Sequence, residues 1–193
     1  MTRDQVESLL SEIGAERNLK SFVILGSLSV LGITEGPIPG GMTVSNEVDG
    51  FAEIYPAHDP DLAAKWGQGS DFERRKGYYF DSISPTLPTL PDGWESRLIA
   101  RKTASGVTMK FADPNDVAIS KYARGEPKDQ EWIRAGLAAS ILSLATIEYR
   151  CRETLFIDQK EHDRVKTAIE EDRQWLEKSR SQTGAKGANE PTP

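Results

Sequence analysis

The sequence predicts an α/β (α+β) fold, and three observations carry that expectation. A short apolar run, Phe22-Val23-Ile24-Leu25, ends on Gly26-Ser27 and passes into Leu28-Ser29-Val30-Leu31, so a buried strand, a tight turn and a helix follow one another. A second strand reads from Asn46 to Tyr55, where residue character alternates with period two up to Pro56. From Asp113 onward the apolar residues recur at helical spacing. At 193 residues the chain is long enough for one domain with a sizeable core.

In chain order, Val6, Leu9, Leu10 and Ile13 repeat at three- and four-residue intervals and predict a helix over 3–17. Residues 34–41, with their glycines and prolines, read as a loop. Asp59 is placed to cap a short helix that Pro60 opens. Residues 66–82 are mixed, with Arg74-Arg75-Lys76 beside Tyr78, Tyr79 and Phe80; such interleaving can grip a nucleotide or RNA, or form a solvated turn with aromatics packed inward. Three prolines between 85 and 91 impose an extended path. Two strands are expected at 97–101 and 107–111, turning at Ser105-Gly106. Asp113-Pro114 starts a helix that stops near Gly125, with Asp113 and Asp116 as capping acids. Asp129 opens the next helix, and two more follow over 140–155 and 159–179. The last dozen residues lack apolar periodicity and are expected to be disordered.

The acidic strand bears on chemistry. Glu47, Asp49, Phe51, Glu53 and Tyr55 fall on one face; Val48, Gly50, Ala52 and Ile54 fall on the other. Three acids on one strand face repel unless positive charge sits among them, and Mg²⁺ bound by carboxylates and nucleotide phosphates supplies it. The competing reading is a solvated strand face. Gly26-Ser27, between a strand and a helix start, suits phosphate because backbone N–H groups point at the turn.

Composition excludes several classes. A net charge of −6 argues against a generally basic nucleic-acid binder. One cysteine, Cys151, rules out an intramolecular disulfide and favours a reducing compartment. With no secretory h-region and no apolar run of about 18 residues, the expectation is a cytoplasmic protein with no membrane partner. The two histidines, His58 and His162, are too scattered for a zinc site or catalytic dyad.

Together, Gly26-Ser27, Glu47-Val48-Asp49 and the helical stretch from Pro114 resemble the nucleotidyltransferase superfamily. Pro114-Asn115-Asp116-Val117-Ala118-Ile119-Ser120-Lys121, followed by Ala123-Arg124-Gly125-Glu126-Pro127-Lys128-Asp129, is similar to a signature of a bacterial branch near the AbiEii-type toxins of type IV toxin–antitoxin pairs. The resemblance covers roughly residues 20–137. It implies a mixed sheet flanked by helices, an NTP substrate and Mg²⁺. Asp49 would bind metal with Glu47 as its partner, Gly26, Ser27 and Lys121 would contact the nucleotide phosphates, and Asp129 would complete the catalytic set with Asp49 and Lys121. The family pair is most often two aspartates, whereas Glu47 stands first here and Glu53 adds a third acid. Either Glu47/Asp49 or Asp49/Glu53 is therefore the working pair, or the site is degraded. The interval from Ser27 to Glu47 is also longer than the family's usual loop.

The expected organisation is a nucleotidyltransferase-like domain over 1–137, C-terminal helices over 138–180 and a tail over 181–193. The implied function is nucleotidyl transfer to an acceptor hydroxyl on RNA, protein or a small molecule, in a toxin setting with a cognate antitoxin. Arg74, Arg75 and Lys76 are candidates for the acceptor side. The alternative is a catalytically degraded module that works by binding a partner through the polar helices after residue 155.

Overall fold

The computed structural model describes residues 1–33 and 37–187. Part of the loop expected at 34–41, and the last six residues of the expected disordered tail, therefore lie outside the described residues. The strands β1 (Ser21–Ile24), β2 (Glu47–Ala52), β3 (Tyr79–Ser82), β4 (Ile99–Lys102) and β5 (Thr108–Phe111) form one sheet in the order β3-β2-β1-β5-β4. It is mixed: β1 pairs antiparallel with β2 and parallel with β5, β2 pairs parallel with β3, and β4 pairs antiparallel with β5.

Helices cover both faces. On one face α1 (Arg3–Arg17), α2 (Pro60–Trp66) and α3 (Asp71–Lys76) bury Leu9, Leu10, Leu62, Trp66 and Phe72 against Phe22, Ile24, Val48, Phe80 and Phe111. On the other, α4 (Pro114–Arg124), α5 (Pro127–Ala138), α6 (Leu144–Cys151) and α7 (Gln159–Gly187) pack on Val23, Leu25 and Phe51. The period-two alternation of β1, with Phe22 and Ile24 on one side and Val23 and Leu25 on the other, is what lets one short strand feed both cores.

Local chemistry sets the helix ends. Thr2 and Gln5 close a capping box on α1, Asp59 caps α2, Ser70 caps α3, and Asp113 caps α4 with Pro114 at its first position. Several expected elements change. Leu28–Leu31 lies in a 3-10 helix over Ser27–Gly32 rather than an α-helix. The acidic strand stops at Ala52, because Tyr55 turns back to bridge Ala52. The mixed stretch 66–82 resolves into α3 and β3, and Asp129 is the third residue of α5 rather than its opener. The helix expected over 140–155 is confined to Leu144–Cys151, and α7 runs on to Gly187, into the segment expected to be disordered.

Asp113 supplies the cap of α4, and Asp116, expected to share that role, is used differently. It is wholly buried and accepts hydrogen bonds from Arg97 Nε and Arg150 Nη1, each at 2.8 Å, tying α4 to the start of β4 and to α6. Removing a buried partner of this kind leaves charge uncompensated. Asp116→Ala should lower unfolding free energy by about 3 kcal/mol in urea denaturation, and Asp116→Asn, which keeps an acceptor, should cost less.

Candidate active site

Four elements converge on one cleft of about 770 Å³, lined among others by Gly26, Ser27, Glu47, Asp49, Asp81, Lys121 and Arg124. β1 delivers Gly26 and Ser27 at its C-terminal end. Gly26 is required here by close approach: a Cβ built on it would lie 1.6 Å from Asp49 Oδ2, so the carboxylate occupies the space a side chain would fill. The indole N–H of Trp132 on α5 donates to both Ser27 O and Met42 O at 3.1 Å, pinning the turn and the loop facing it.

The acids come from the adjacent strands β2 and β3. Glu47 and Asp49 share a face of β2, and Asp81 is the register partner of Asp49 across the parallel pair. Carboxylate oxygens of Glu47, Asp49 and Asp81 lie within 4.8 Å of one another. Among the described residues, neither Asp49 nor Asp81 accepts a side-chain hydrogen bond, while Glu47 Oε2 accepts one from Tyr79 Oη at 2.7 Å. Burial first, then the neighbouring Glu47 and Asp81 charges, push the Asp49 carboxyl up to about 7. Asp81 is raised for the same reasons, burial before Glu47.

The cations sit opposite. Lys121 on α4, 4 % exposed, donates to Ser27 Oγ at 2.9 Å and to Asp129 Oδ1 at 3.1 Å. Burial lowers the Lys121 pKa, with Asp129 opposing. Arg124 donates to both Asp129 oxygens, through Nε at 2.8 Å and Nη2 at 2.5 Å. Burial would raise Asp129, but the Arg124 hydrogen bonds and the Lys121 charge hold it below the usual carboxylate range. Asp129 is thus saturated by two cations, whereas the acids across the cleft are short of positive charge.

Of the residues singled out in the sequence, Gly26, Ser27, Glu47, Asp49 and Lys121 line the cleft, and Asp129 lies directly behind Lys121. Glu53 does not join them. It follows the end of β2 and forms an ion pair with Lys110. Asp81 lies with Glu47 and Asp49 instead, a third acid that neither pairing considered from the sequence included. Its one signal was an acid closing the apolar run Tyr78–Phe80; that β3 pairs with β2 in this register is not readable from spacing. Arg74, Arg75 and Lys76 are also elsewhere, in α3 on the opposite face of the sheet, with Arg74 paired to Asp71. Arg124 and Lys128 are the basic residues at the cleft beside Lys121.

A divalent cation fits these residues. Three oxygen donors converge, two of them lack any other partner, and the absent side chain of Gly26 leaves room for one of them. The family described as nucleotidyltransferase of unknown function (DUF6036) matches residues 4–182. The chain belongs to this family. No curated protein and no solved structure matches it. Membership of a nucleotidyltransferase family implies nucleotide binding. No described helix is long and apolar enough to cross a membrane.

The raised Asp49 has a signed consequence for stability. Unfolded, it titrates near 3.8; folded, near 7. Between these values the folded state holds a proton that the unfolded state has released, so stability falls as pH rises through the window and stays lost above it. Asp49→Asn should therefore raise the Tm of the metal-free protein at pH 8, by about 2–4 °C for each kcal/mol recovered. The difference should shrink toward pH 4, as read by thermal melts in chelator.

Proposed function

We propose that this protein transfers a nucleotidyl group from a nucleoside triphosphate to an acceptor hydroxyl, the new bond to the α-phosphorus replacing that to the β-phosphate with release of pyrophosphate and the hydroxyl proton, using Mg²⁺ held by Glu47, Asp49 and Asp81. The observation that carries the reading is a cluster of three under-compensated carboxylates facing, across one cleft, a buried lysine bonded to the serine of a Gly-Ser turn. Bound Mg²⁺ would neutralise phosphate charge and orient the triphosphate on the acids.

The chain's own residues do the rest. Ser27 and Lys121 receive phosphate oxygens at the turn, a point charge suited to phosphate. Asp129 fixes Lys121 and Arg124, so positive charge is in place before the substrate arrives and needs no reorganisation. Val44 and Leu87, both strongly exposed, give the cleft apolar flanks against which a nucleobase can lie. The acceptor hydroxyl belongs to RNA, a protein or a small molecule. The likeness of 114–129 to the signature of a branch near the AbiEii-type toxins supports a toxin–antitoxin setting, in which tRNA or the partner protein accepts the nucleotide.

The test is calorimetric titration with each of the four NTPs in Mg²⁺, paired with transfer of labelled nucleotide to cellular RNA and protein. Wild type should bind at least one NTP, and Asp49→Ala should cut metal-dependent binding and transfer by roughly 10²-fold or more. Absence of binding with every NTP overturns the reading; binding without transfer leaves a module that recognises nucleotide and partner. Lys121→Met should weaken NTP binding about 10–100-fold, the worth of one charge-assisted hydrogen bond, with Asp129 still paired to Arg124.

A further inference from the structure

Tyr79 touches the acid cluster without lining the cleft. Its side chain is 7 % exposed, and its backbone N–H donates to Asn46 O at 3.0 Å, fixing the start of β3 beside β2. Tyr79 and Glu47 are register partners on the parallel pair, so their side chains stand on the same face. The hydroxyl donates to Glu47 Oε2 at 2.7 Å, and no other side-chain hydrogen bond holds that carboxylate among the described residues. From the backbone side, Ser45 Oγ accepts from Glu47 N and donates to Glu47 O, each at 3.1 Å.

The three acids are constrained differently. Asp49 is fixed by its packing against Gly26 Cα, and Asp81 has a short side chain on the neighbouring strand. Glu47 has one more rotatable bond, and left alone could turn either oxygen, or both, toward the centre of the cluster. The Tyr79 hydroxyl removes that freedom by holding Oε2 and leaving Oε1 as the uncommitted donor. A carboxylate held in this way offers a cation one oxygen rather than two. Mg²⁺ takes single oxygens in a tight octahedron at about 2.0–2.1 Å, whereas Ca²⁺ gathers six to eight oxygens and gains from carboxylates that bind through both.

We propose that Tyr79 is a positioning residue that sets the cation preference of the site, by holding Glu47 as a one-oxygen ligand and so favouring Mg²⁺ or Mn²⁺ over Ca²⁺. The proposal rests on the reading of Glu47, Asp49 and Asp81 as a divalent-cation site. It adds that the choice of cation is made by a hydroxyl that never touches the ion, in keeping with partners behind the ligands tuning metal affinity about 10–100-fold.

The test is direct titration of the full-length, metal-free protein with Mn²⁺, following the EPR signal of the free ion, with Mg²⁺ and Ca²⁺ as competitors. Wild type should bind Mn²⁺ and release it to Mg²⁺ more readily than to Ca²⁺. Tyr79→Phe keeps the ring and its packing, so it should melt close to wild type while the Mg²⁺-to-Ca²⁺ affinity ratio falls about tenfold. In a Glu47→Gln background the same substitution should leave the ratio unchanged, which shows that Tyr79 acts through Glu47. A Tyr79→Phe protein with the wild-type ratio overturns the role of Tyr79 and leaves the cation site standing. A wild-type protein that binds no Mn²⁺, Mg²⁺ or Ca²⁺ overturns both. Retained NTP binding by that protein would separate this failure from loss of the nucleotide reading.

Discussion

Repulsion among Glu47, Asp49 and Asp81 is the constraint on which the site is built. Parallel pairing of β2 with β3 sets Asp49 directly beside Asp81, and the pleat brings Glu47 to the same face two residues earlier. Burial, and then the Glu47 and Asp81 charges beside it, make ionisation costly and drive the Asp49 carboxyl up to about 7. The neighbouring structure answers that charge from several sides. Gly26 gives up its side chain so that Asp49 can sit against the turn, and Lys121 and Arg124 face it from α4. Neither cation closes on the acids, however, because both are held by Asp129. The field across the cleft is fixed and incompletely neutralised.

Three acids at most 1 % exposed show how the same chain satisfies a fully buried carboxylate. Asp116 is held by Arg97 and Arg150; Asp172 takes Tyr122 Oη at 2.9 Å and Arg134 Nε at 2.8 Å. Asp129 has its two cations. Each of these acids is at most 1 % exposed and each is saturated, as buried charge must be if the fold is to tolerate it. Asp49 and Asp81, half-buried, accept no side-chain hydrogen bond among the described residues. The protein has arginines enough to pair them and does not. An acid cluster left short of partners beside an open cleft has the oxygen donor set that the proposed cation site needs.

Much of this was legible in the sequence because it follows from local rules. The Gly-Ser turn after an apolar strand, the alternating acids at 47 and 49, the caps at Asp59 and Asp113, and the helices from 114 onward depend on residues a few positions apart. What was missed depends on distant ones. Glu53 shares the parity of Glu47 and Asp49, yet β2 ends at Ala52 and Lys110 from β5 captures it. Asp81 has the right place only because β3 pairs parallel with β2, a partner more than thirty residues away and in a register that nothing in either strand announces. Arg74-Arg75-Lys76 reads as a phosphate or RNA grip in one dimension, but α3 carries it to the other face of the sheet. Arg124 stands in the quoted signature but was given no role, because its importance comes from sharing Asp129 with Lys121.

α4 connects these findings into one mechanical unit. Near its start Asp116 is clamped by arginines from the β4 approach and from α6; in its third turn Lys121 reaches the Ser27 hydroxyl; and the next residue, Tyr122, is bound to Asp172 of α7. Trp132 packs beneath Lys121, its ring centroid 4.9 Å from Nζ, while its N–H holds the Ser27 turn. The helix that carries Lys121 is therefore fastened at both ends by C-terminal elements, and its apolar side shares one core with Leu142, Ile147, Val165 and Ile169. A lysine that must meet a serine across a sheet edge needs its helix held to within a fraction of an ångström. Packing of α6 and α7 on α4 does that, which makes the C-terminal helices part of how the cleft is shaped rather than an addition to it.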